Sequence, residues 1–121
     1  MPGYQNLYGT FQMTIPASGS FSGSAFFNGE GLAAIVIPGT FTTAPLTFQH
    51  ALVAPHDGGT WTNVYVGTAE YTIGTLAGTA TLFLPPADLA GLQWVRLRSG
   101  NAAAGTVQSA AGSFVALTRP I

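Results

Sequence analysis

Residues 89–100 read Leu-Ala-Gly-Leu-Gln-Trp-Val-Arg-Leu-Arg-Ser-Gly, and this stretch holds two of the three cations of the chain. Its apolar and polar residues alternate with the period of a β-strand and not with that of a helix. Successive side chains of a strand point to opposite faces, so Val95 and Leu97 are expected to face the core. The opposite face then carries an indole and two guanidiniums, those of Trp94, Arg96 and Arg98. An arginine can lie against a ring two residues away, a contact worth roughly 0.5–1 kcal/mol at an exposed site.

Charge is scarce in this chain. Only 6% of the residues are charged, against about 25% in an ordinary soluble domain, and there is no lysine. A surface with so little charge has few means of repelling its neighbours, so we expect other subunits or another protein to cover much of it. Two of the three cations stand together at Arg96 and Arg98. This concentration favours a contact surface over the alternative, a solvated sheet face whose arginines serve only solubility.

Length and composition describe one domain. The chain has 121 residues with 47% hydrophobic content, which is enough to bury a core without disulfides or metals. Its 16 glycines and 8 prolines are spread along the chain, so no segment has the composition of a linker. We therefore expect residues 1–121 to form a single domain.

Several classes of partner are disfavoured by the same numbers. The net charge is −1, and three arginines do not supply the cationic cluster that binding of nucleic-acid phosphates requires. Cysteine is absent, so disulfides and thiol chemistry play no part. No stretch approaches 18 consecutive apolar residues, and the first residues lack the pattern of a signal peptide. We expect a soluble protein that is made in the cytoplasm and has no membrane or nucleic-acid partner.

Strand patterns recur along the chain between glycines and prolines. Besides the stretch quoted above, strands are predicted at 4–15, 20–27, 32–37, 45–54, 62–66, 70–73, 79–84 and 113–119. The continuous apolar run at 32–37 is typical of a central strand that is buried on both sides. Residues 1–15 are either a first strand or an N-terminal arm that lies on a neighbouring subunit.

The fold class follows from this spacing. About eight short strands, separated by turn residues at intervals of roughly 8–12 and accompanied by no helix of normal length, predict an all-β antiparallel sandwich. We favour a jelly roll. An immunoglobulin-like sandwich stays open, because strand order depends on pairings that a sequence pattern does not reveal.

The order of several short segments resembles a group of small virion proteins from tailed phages. The segments are Leu-Ala-Ala-Ile-Val-Ile-Pro, Leu-Thr-Phe-Gln, Asp-Gly-Gly-Thr-Trp, Arg-Leu-Arg-Ser-Gly and Thr-Arg-Pro-Ile, and the resemblance covers residues 32–121. It implies a structural protein of the virion, most often a decoration or cement protein on the head exterior, and less often a head fibre or tail component. The implied partner is the major capsid protein or another virion protein.

Residues with catalytic or metal-binding chemistry are few. His56, Asp57 and Glu70 are the best candidates for metal ligands. Structural zinc takes four protein ligands and catalytic zinc three, and the sequence has no second pair of ligands with helical or hairpin spacing. We therefore expect no metal and no cofactor. The Ser-rich segment 19–23 has no helix to hold a nucleophile. Asp57 and Glu70 are more simply a turn residue and a solvated edge than paired acids, and His50 is expected to be a hydrogen-bonded core or interface residue. The chain is interpreted as a non-enzyme.

Two classes of function remain. In the first, the protein is a virion component that forms a homo-oligomer, with a trimer favoured, and stabilises the head shell. Its interface residues are then Trp94, Arg96, Arg98 and Arg119, since Trp and Arg often dominate interface energies. In the second, the sandwich binds carbohydrate, as a module or as an adhesion component. The residues that would stack on a sugar ring are Trp61, Tyr65, Tyr71 or Trp94.

Overall fold

The computed structural model describes residues 9–76, 78–84 and 89–120, and strands account for most of its regular structure. Within those ranges the strands are β1 Gly9–Ile15, β2 Ala25–Phe26, β3 Gly31–Ile37, β4 Ala44–Ala51, β5 Thr62–Asn63, β6 Tyr65–Val66, β7 Ala69–Glu70, β8 Ile73–Leu76, β9 Ala80–Phe83, β10 Trp94–Ser99 and β11 Gly112–Arg119. Helical structure in the same ranges is limited to one 3-10 turn at Pro55–Asp57. The predicted all-β class is confirmed.

The strands form two larger sheets and one small hairpin. One sheet has the order β1-β11-β3-β9, and the other has the order β2-β10-β4, with both β5 and β8 pairing with the outer side of β4. Strands β6 and β7 pair only with each other. All of these pairings are antiparallel.

Strands β5 and β8 together occupy one strand position. Strand β5 pairs with Gln49 and His50, near the end of β4, and β8 pairs with Ala44 and Leu46, near its start. Between them the chain leaves the sheet to form the β6–β7 hairpin, in which Tyr65 pairs with Glu70. The hairpin is therefore an excursion from the middle of a single edge strand.

The pairings are nested along the chain. The first strand, β1, pairs with the last, β11, while β2 pairs with β10, β3 with β9, and β4 with the β5–β8 position. This nesting of antiparallel pairs, wrapped into two packed sheets, is the strand order of a jelly roll. In an immunoglobulin-like sandwich the first strand pairs with the second, so the alternative that the sequence left open is excluded.

The core lies between the two larger sheets. Val95 and Leu97 of β10 are buried there, as the alternation predicted, and Leu97 lies opposite the buried Phe48 of β4. The other sheet contributes Phe114, whose ring meets that of Phe41 edge to face at a centroid distance of 5.3 Å. Strand β3 lies between β11 and β9, so the predicted central position of residues 32–37 is confirmed.

Several predicted strands are shorter than expected or interrupted: 62–66 is divided between β5 and β6, 70–73 falls between β7 and β8, and 20–27 and 45–54 are shortened. The segment 20–27 contains only β2 and a single bridge from Phe21 to Arg98. Its backbone crosses between the sheets, because the Ser22 N–H donates to Leu97 of one sheet and the Gly23 N–H to Thr14 of the other.

The strand predicted at 45–54 ends at Ala51. The carbonyl of Ala54 accepts hydrogen bonds from the N–H groups of Asp57 and Gly59 and so closes a turn instead of continuing the sheet. Of the predicted first strand, residues 9–15 form β1, and residues 1–8 lie outside the described residues.

The assignment of faces can be tested with two leucines of opposite burial. Leu97→Ala removes a side chain that is 1% exposed, and we expect it to lower the free energy of unfolding by about 2–5 kcal/mol. Leu52→Ala, at a side chain that is 78% exposed, should change it by less than about 0.5 kcal/mol. Urea denaturation of the two variants measures both values. Equal losses would contradict the placement of the core.

Candidate functional site

The outer face of the sheet that contains β10 carries Trp94, Arg96 and Arg98, three of the four residues predicted from the sequence to form an interface. The register places Arg96 opposite Gln49 and Arg98 opposite Thr47 of the neighbouring strand β4. Directly opposite residues in an antiparallel pair share a face and contact one another. We call this surface the arginine face.

Arg96 is held between two aromatic rings on the arginine face. Its guanidinium carbon lies 4.0 Å from the centroid of the Phe21 ring and 4.6 Å from that of Trp61. The Arg96 Nε and Nη2 groups donate to the side-chain oxygen of Gln49, with an Nε to Oε1 distance of 2.9 Å. The Gln49 amide nitrogen in turn donates to Asn63 Oδ1 at 3.0 Å. The side chain of Arg96 is therefore fixed in position although it is only half-buried.

The aromatic partners of Arg96 differ from the prediction. The sequence indicated Trp94, two residues away, but Trp94 lies opposite Phe26 of β2 and stacks on its ring at a centroid distance of 4.8 Å. Phe21 lies before β2 and Trp61 lies before β5, and both rings reach Arg96 from segments outside β10. Their approach depends on tertiary structure, so spacing along the chain did not indicate it.

Arg98 is not displayed on the surface, and the expectation that it faces a partner is wrong. Only 5% of the residue is exposed. Its Nε group donates to Thr47 Oγ1 at 2.9 Å, its Nη1 group donates to Asn63 Oδ1 at 3.0 Å, and its Nη2 group forms an ion pair with Glu70. The second oxygen of Glu70 accepts a hydrogen bond from the Ala102 N–H at 3.1 Å. Arg98 therefore fastens the β6–β7 hairpin to the sheet.

The remaining predicted interface residue lies elsewhere. Arg119 is exposed at the end of β11, in the other sheet, where it pairs with Gly31 of β3. The four residues predicted as one interface thus occupy two sheets. Trp94, Arg96 and Arg98 share the arginine face, where Arg98 is buried and the other two are half-buried.

The residues predicted to stack on a sugar do not share one environment. Trp61 turns a ring face to Arg96, and Tyr71 packs against the core beside Phe48, at a centroid distance of 6.1 Å. Tyr65, on the β6–β7 hairpin, is 53% exposed. Tyr65 is accordingly the one member of this predicted set that offers most of its ring to solvent.

A groove of about 440 Å³ lies beside the end of β4. It is lined by His50, Leu52, Val53, Asp57, Gly58, Gly59, Thr60 and Thr62. His50 Nε2 accepts a hydrogen bond from the Gln93 N–H at 3.0 Å, which agrees with the prediction of a hydrogen-bonded histidine. Burial lowers the pKa of His50 below its usual 6.5, so the ring is neutral at pH 7 and able to accept this bond.

The two acidic candidates, Glu70 and Asp57, have different roles in the structure. Glu70 is paired with the buried Arg98, so its interpretation as a solvated edge is wrong, whereas Asp57 is exposed in the turn that lines the groove. In the part of the chain that the structure describes, no three His, Cys, Asp or Glu residues come together as metal ligands. No helix among the described residues is long and apolar enough to cross a membrane.

Sequence reasoning missed Phe21, Gln49 and Asn63 as members of the arginine face. Gln49 lies in the strand predicted at 45–54, but its position opposite Arg96 depends on the register between β4 and β10. Asn63 lies opposite Gln49 for the same reason. With the strand order and register in hand, sequence alone would have predicted that these amides lie beside the arginines.

Comparison with known proteins leaves the fold and this geometry as the basis for assigning a function. No family model matches the chain, and no curated protein or solved structure matches it either. The chain is an antiparallel jelly-roll sandwich, a class that includes viral capsid and lectin domains. Because one fold can carry unrelated functions, the surfaces and not the fold must decide between them.

The buried ion pair can be tested by removing each partner. Arg98→Met leaves the Glu70 carboxylate unpaired, and we expect a loss of about 3–5 kcal/mol in the free energy of unfolding. The double variant with Glu70→Gln should be less unstable than the sum of the single variants, because it removes the uncompensated charge. Urea denaturation measures the cycle, and Arg119→Met is the exposed control, expected within about 0.5 kcal/mol of the wild type. Additive losses would show that the two side chains do not interact.

His50 predicts a pH dependence of stability. Because its pKa is lower in the folded than in the unfolded chain, the unfolded state takes up a proton first as the pH falls below 6.5. The stabilising contribution is therefore full above this value and is lost towards the lower, folded pKa. In His50→Gln, whose amide oxygen can accept the Gln93 hydrogen bond, the loss between about pH 7.5 and about pH 5.5 should be smaller. Equal losses in urea denaturation would refute this role for His50.

Proposed function

We propose that the chain is a non-enzymatic structural protein of a tailed-phage virion, a head decoration or cement protein that assembles as a homo-oligomer on the major capsid protein or another virion protein. The observation that carries this proposal is an apolar, uncharged face on the outside of the β1-β11-β3-β9 sheet. We call it the apolar face. The sequence resemblance supports the virion setting, and a trimer is the favoured oligomer.

The apolar face is built across three neighbouring strands. Val115 of β11 lies opposite Val36 of β3, and Leu117 lies opposite Ala34, which is in turn opposite Phe83 of β9. Val36, Val115 and Leu117 are half-buried, whereas Phe83 is 81% exposed. A contiguous apolar group on the outside of a sheet is typical of a surface that contacts another protein.

The margin of the apolar face is polar but uncharged. Its residues are Thr10, Gln12 and Thr14 of β1, Ser113 of β11 and Thr81 of β9. Among the residues of these four strands, the one that carries charge is Arg119, at the end of β11. An apolar centre with a polar rim matches the anatomy of protein interfaces, and the shortage of charge removes the electrostatic cost of bringing two such faces together.

Carbohydrate binding is supported less well by the described surfaces. Sugar stacking needs open aromatic faces, but Trp61 and Phe21 each turn a ring face to Arg96, and Trp94 turns one to Phe26. The groove beside His50 is lined mainly by small residues and two exposed aliphatic side chains. The glycan-binding alternative therefore rests mainly on Tyr65.

The proposed assembly is tested first by light scattering on a sizing column. The wild type should elute as a closed oligomer, and Phe83→Asp should weaken association by more than about tenfold, because a charge enters the apolar face. Leu52→Asp changes an equally exposed residue away from that face and should keep the wild-type mass. The oligomeric wild type should also sediment with phage heads that lack the protein. A wild-type monomer at high concentration would contradict the oligomer, and absence of head binding would contradict the virion role.

A further inference from the structure

The guanidinium of Arg96 has donors that the described residues do not use. An arginine carries five N–H groups in a planar fork, and those on Nε and one on Nη2 go to Gln49. In the described part of the chain, no other acceptor meets Arg96. The end-on edge, formed by Nη1 and the second hydrogen of Nη2, is therefore available.

Among the described residues, no carboxylate forms an ion pair with the same guanidinium. In the part of the chain that the structure describes, the ion pair of the arginine face joins Arg98 to Glu70. On this face the described residues therefore provide one carboxylate, that of Glu70, for the two guanidiniums of Arg96 and Arg98. Burial and then the positive charge of Arg98 both lower the pKa of Arg96. The two arginines and the single carboxylate of Glu70 leave this described cluster with one positive charge in excess.

Arg96 is also held in place before any ligand binds. The rings of Phe21 and Trp61 lie at 4.0 and 4.6 Å from its guanidinium carbon, and Gln49, itself bonded to Asn63, fixes the rotation of the guanidinium plane. Ordering an arginine side chain on binding ordinarily costs conformational entropy. Here folding has already ordered the side chain, so a ligand gains the full strength of the charge-assisted hydrogen bonds.

We propose that the end-on edge of Arg96 binds a carboxylate side chain in an acidic segment of a partner protein, with one N–H donated from Nη1 and one from Nη2. This inference rests on the proposed virion function for the kind of partner. Two parallel N–H to O bonds match a planar carboxylate. The binding mode selects an acidic surface over a neutral one.

The contacts of the described acids favour a different protein over a second copy as the partner. Among the described acids, Glu30 accepts a hydrogen bond from Thr118 Oγ1 at 2.6 Å, and Glu70 is paired with Arg98. Asp57 is exposed, but it already takes part in an interaction of its own. The described residues therefore offer a second copy little free carboxylate, while the apolar face provides a separate route for self-association.

The test uses the full-length protein and a capped tetraglutamate peptide as the probe. Nuclear magnetic resonance follows the Arg96 Nε–H and Trp61 indole N–H signals during titration at constant ionic strength. We expect both signals to shift and saturate with tetraglutamate and to stay still with capped tetraglutamine. Arg96→Gln should weaken tetraglutamate binding by more than about tenfold, while Arg119→Gln, which removes an exposed arginine in the other sheet, should leave it unchanged.

Two further measurements, on the variant Arg96→Lys and with N-acetylneuraminic acid as the ligand, distinguish the proposal from its alternatives. Arg96→Lys keeps the charge but lacks the planar fork, so it should bind more weakly than the wild type and more strongly than Arg96→Gln. Equal binding of tetraglutamate by wild type and Arg96→Gln, or equal shifts with tetraglutamine, would overturn the proposal. Tighter binding of N-acetylneuraminic acid than of tetraglutamate would also overturn it, in favour of an acidic sugar.

Failure of this inference can be told apart from failure of the proposed assembly. An oligomer that Phe83→Asp dissociates, combined with no tetraglutamate binding, would reject the carboxylate site and keep the assembly. A monomer whose Arg96 binds tetraglutamate would reject the oligomer and keep the site.

Discussion

The register between β10 and β4 is the constraint on which the rest of the structure depends. Val95 and Leu97 face the core only while Leu97 lies opposite Phe48. A slip of one residue would turn every side chain of the strand to the other face, which would place the guanidiniums of Arg96 and Arg98 in the core. Burying unpaired charges there is far more costly than any gain in pairing, so the arginines fix the register as firmly as the leucines do.

That register also determines how the two sides of the molecule differ. On one side, the amides of Gln49 and Asn63 meet the two arginines, and Glu70 brings the β6–β7 hairpin down on the sheet. On the other, the outward positions of β11, β3 and β9 are uncharged except for Arg119 at the end of β11, and their apolar residues form the apolar face. A chain with three cations has placed two of them together on one sheet and left the centre of the other sheet's outer surface neutral. The two surfaces can therefore serve two different contacts.

The alternation of apolar and polar residues, with glycines and prolines between the alternating segments, was sufficient to predict a β-sandwich and most of its strands. Alternation located the core side of β10, and the apolar run at 32–37 indicated a central strand. The exposure of Arg98 was predicted wrongly, because its partner Glu70 lies 28 residues away on a hairpin that interrupts a strand. The position of Phe21 beside Arg96 depends on a segment that crosses between the sheets. These errors share one cause: alternation states which face a residue is on, but not what the rest of the chain lays over that face.

The interrupted β5–β8 strand also bears on how the sheet edges avoid unwanted pairing. Proteins commonly protect exposed edges with lysine or other charges, and this chain has no lysine. Its edge strands β2, β5, β8 and β9 are instead two to four residues long, too short to act as a template for another strand, whereas the remaining edge strand of the two larger sheets, β1, has seven residues. Protection by strand length does not depend on charge, so added salt, which screens charges, leaves it intact. Resistance to edge-to-edge aggregation is thus built into the geometry of the sheet edges other than β1.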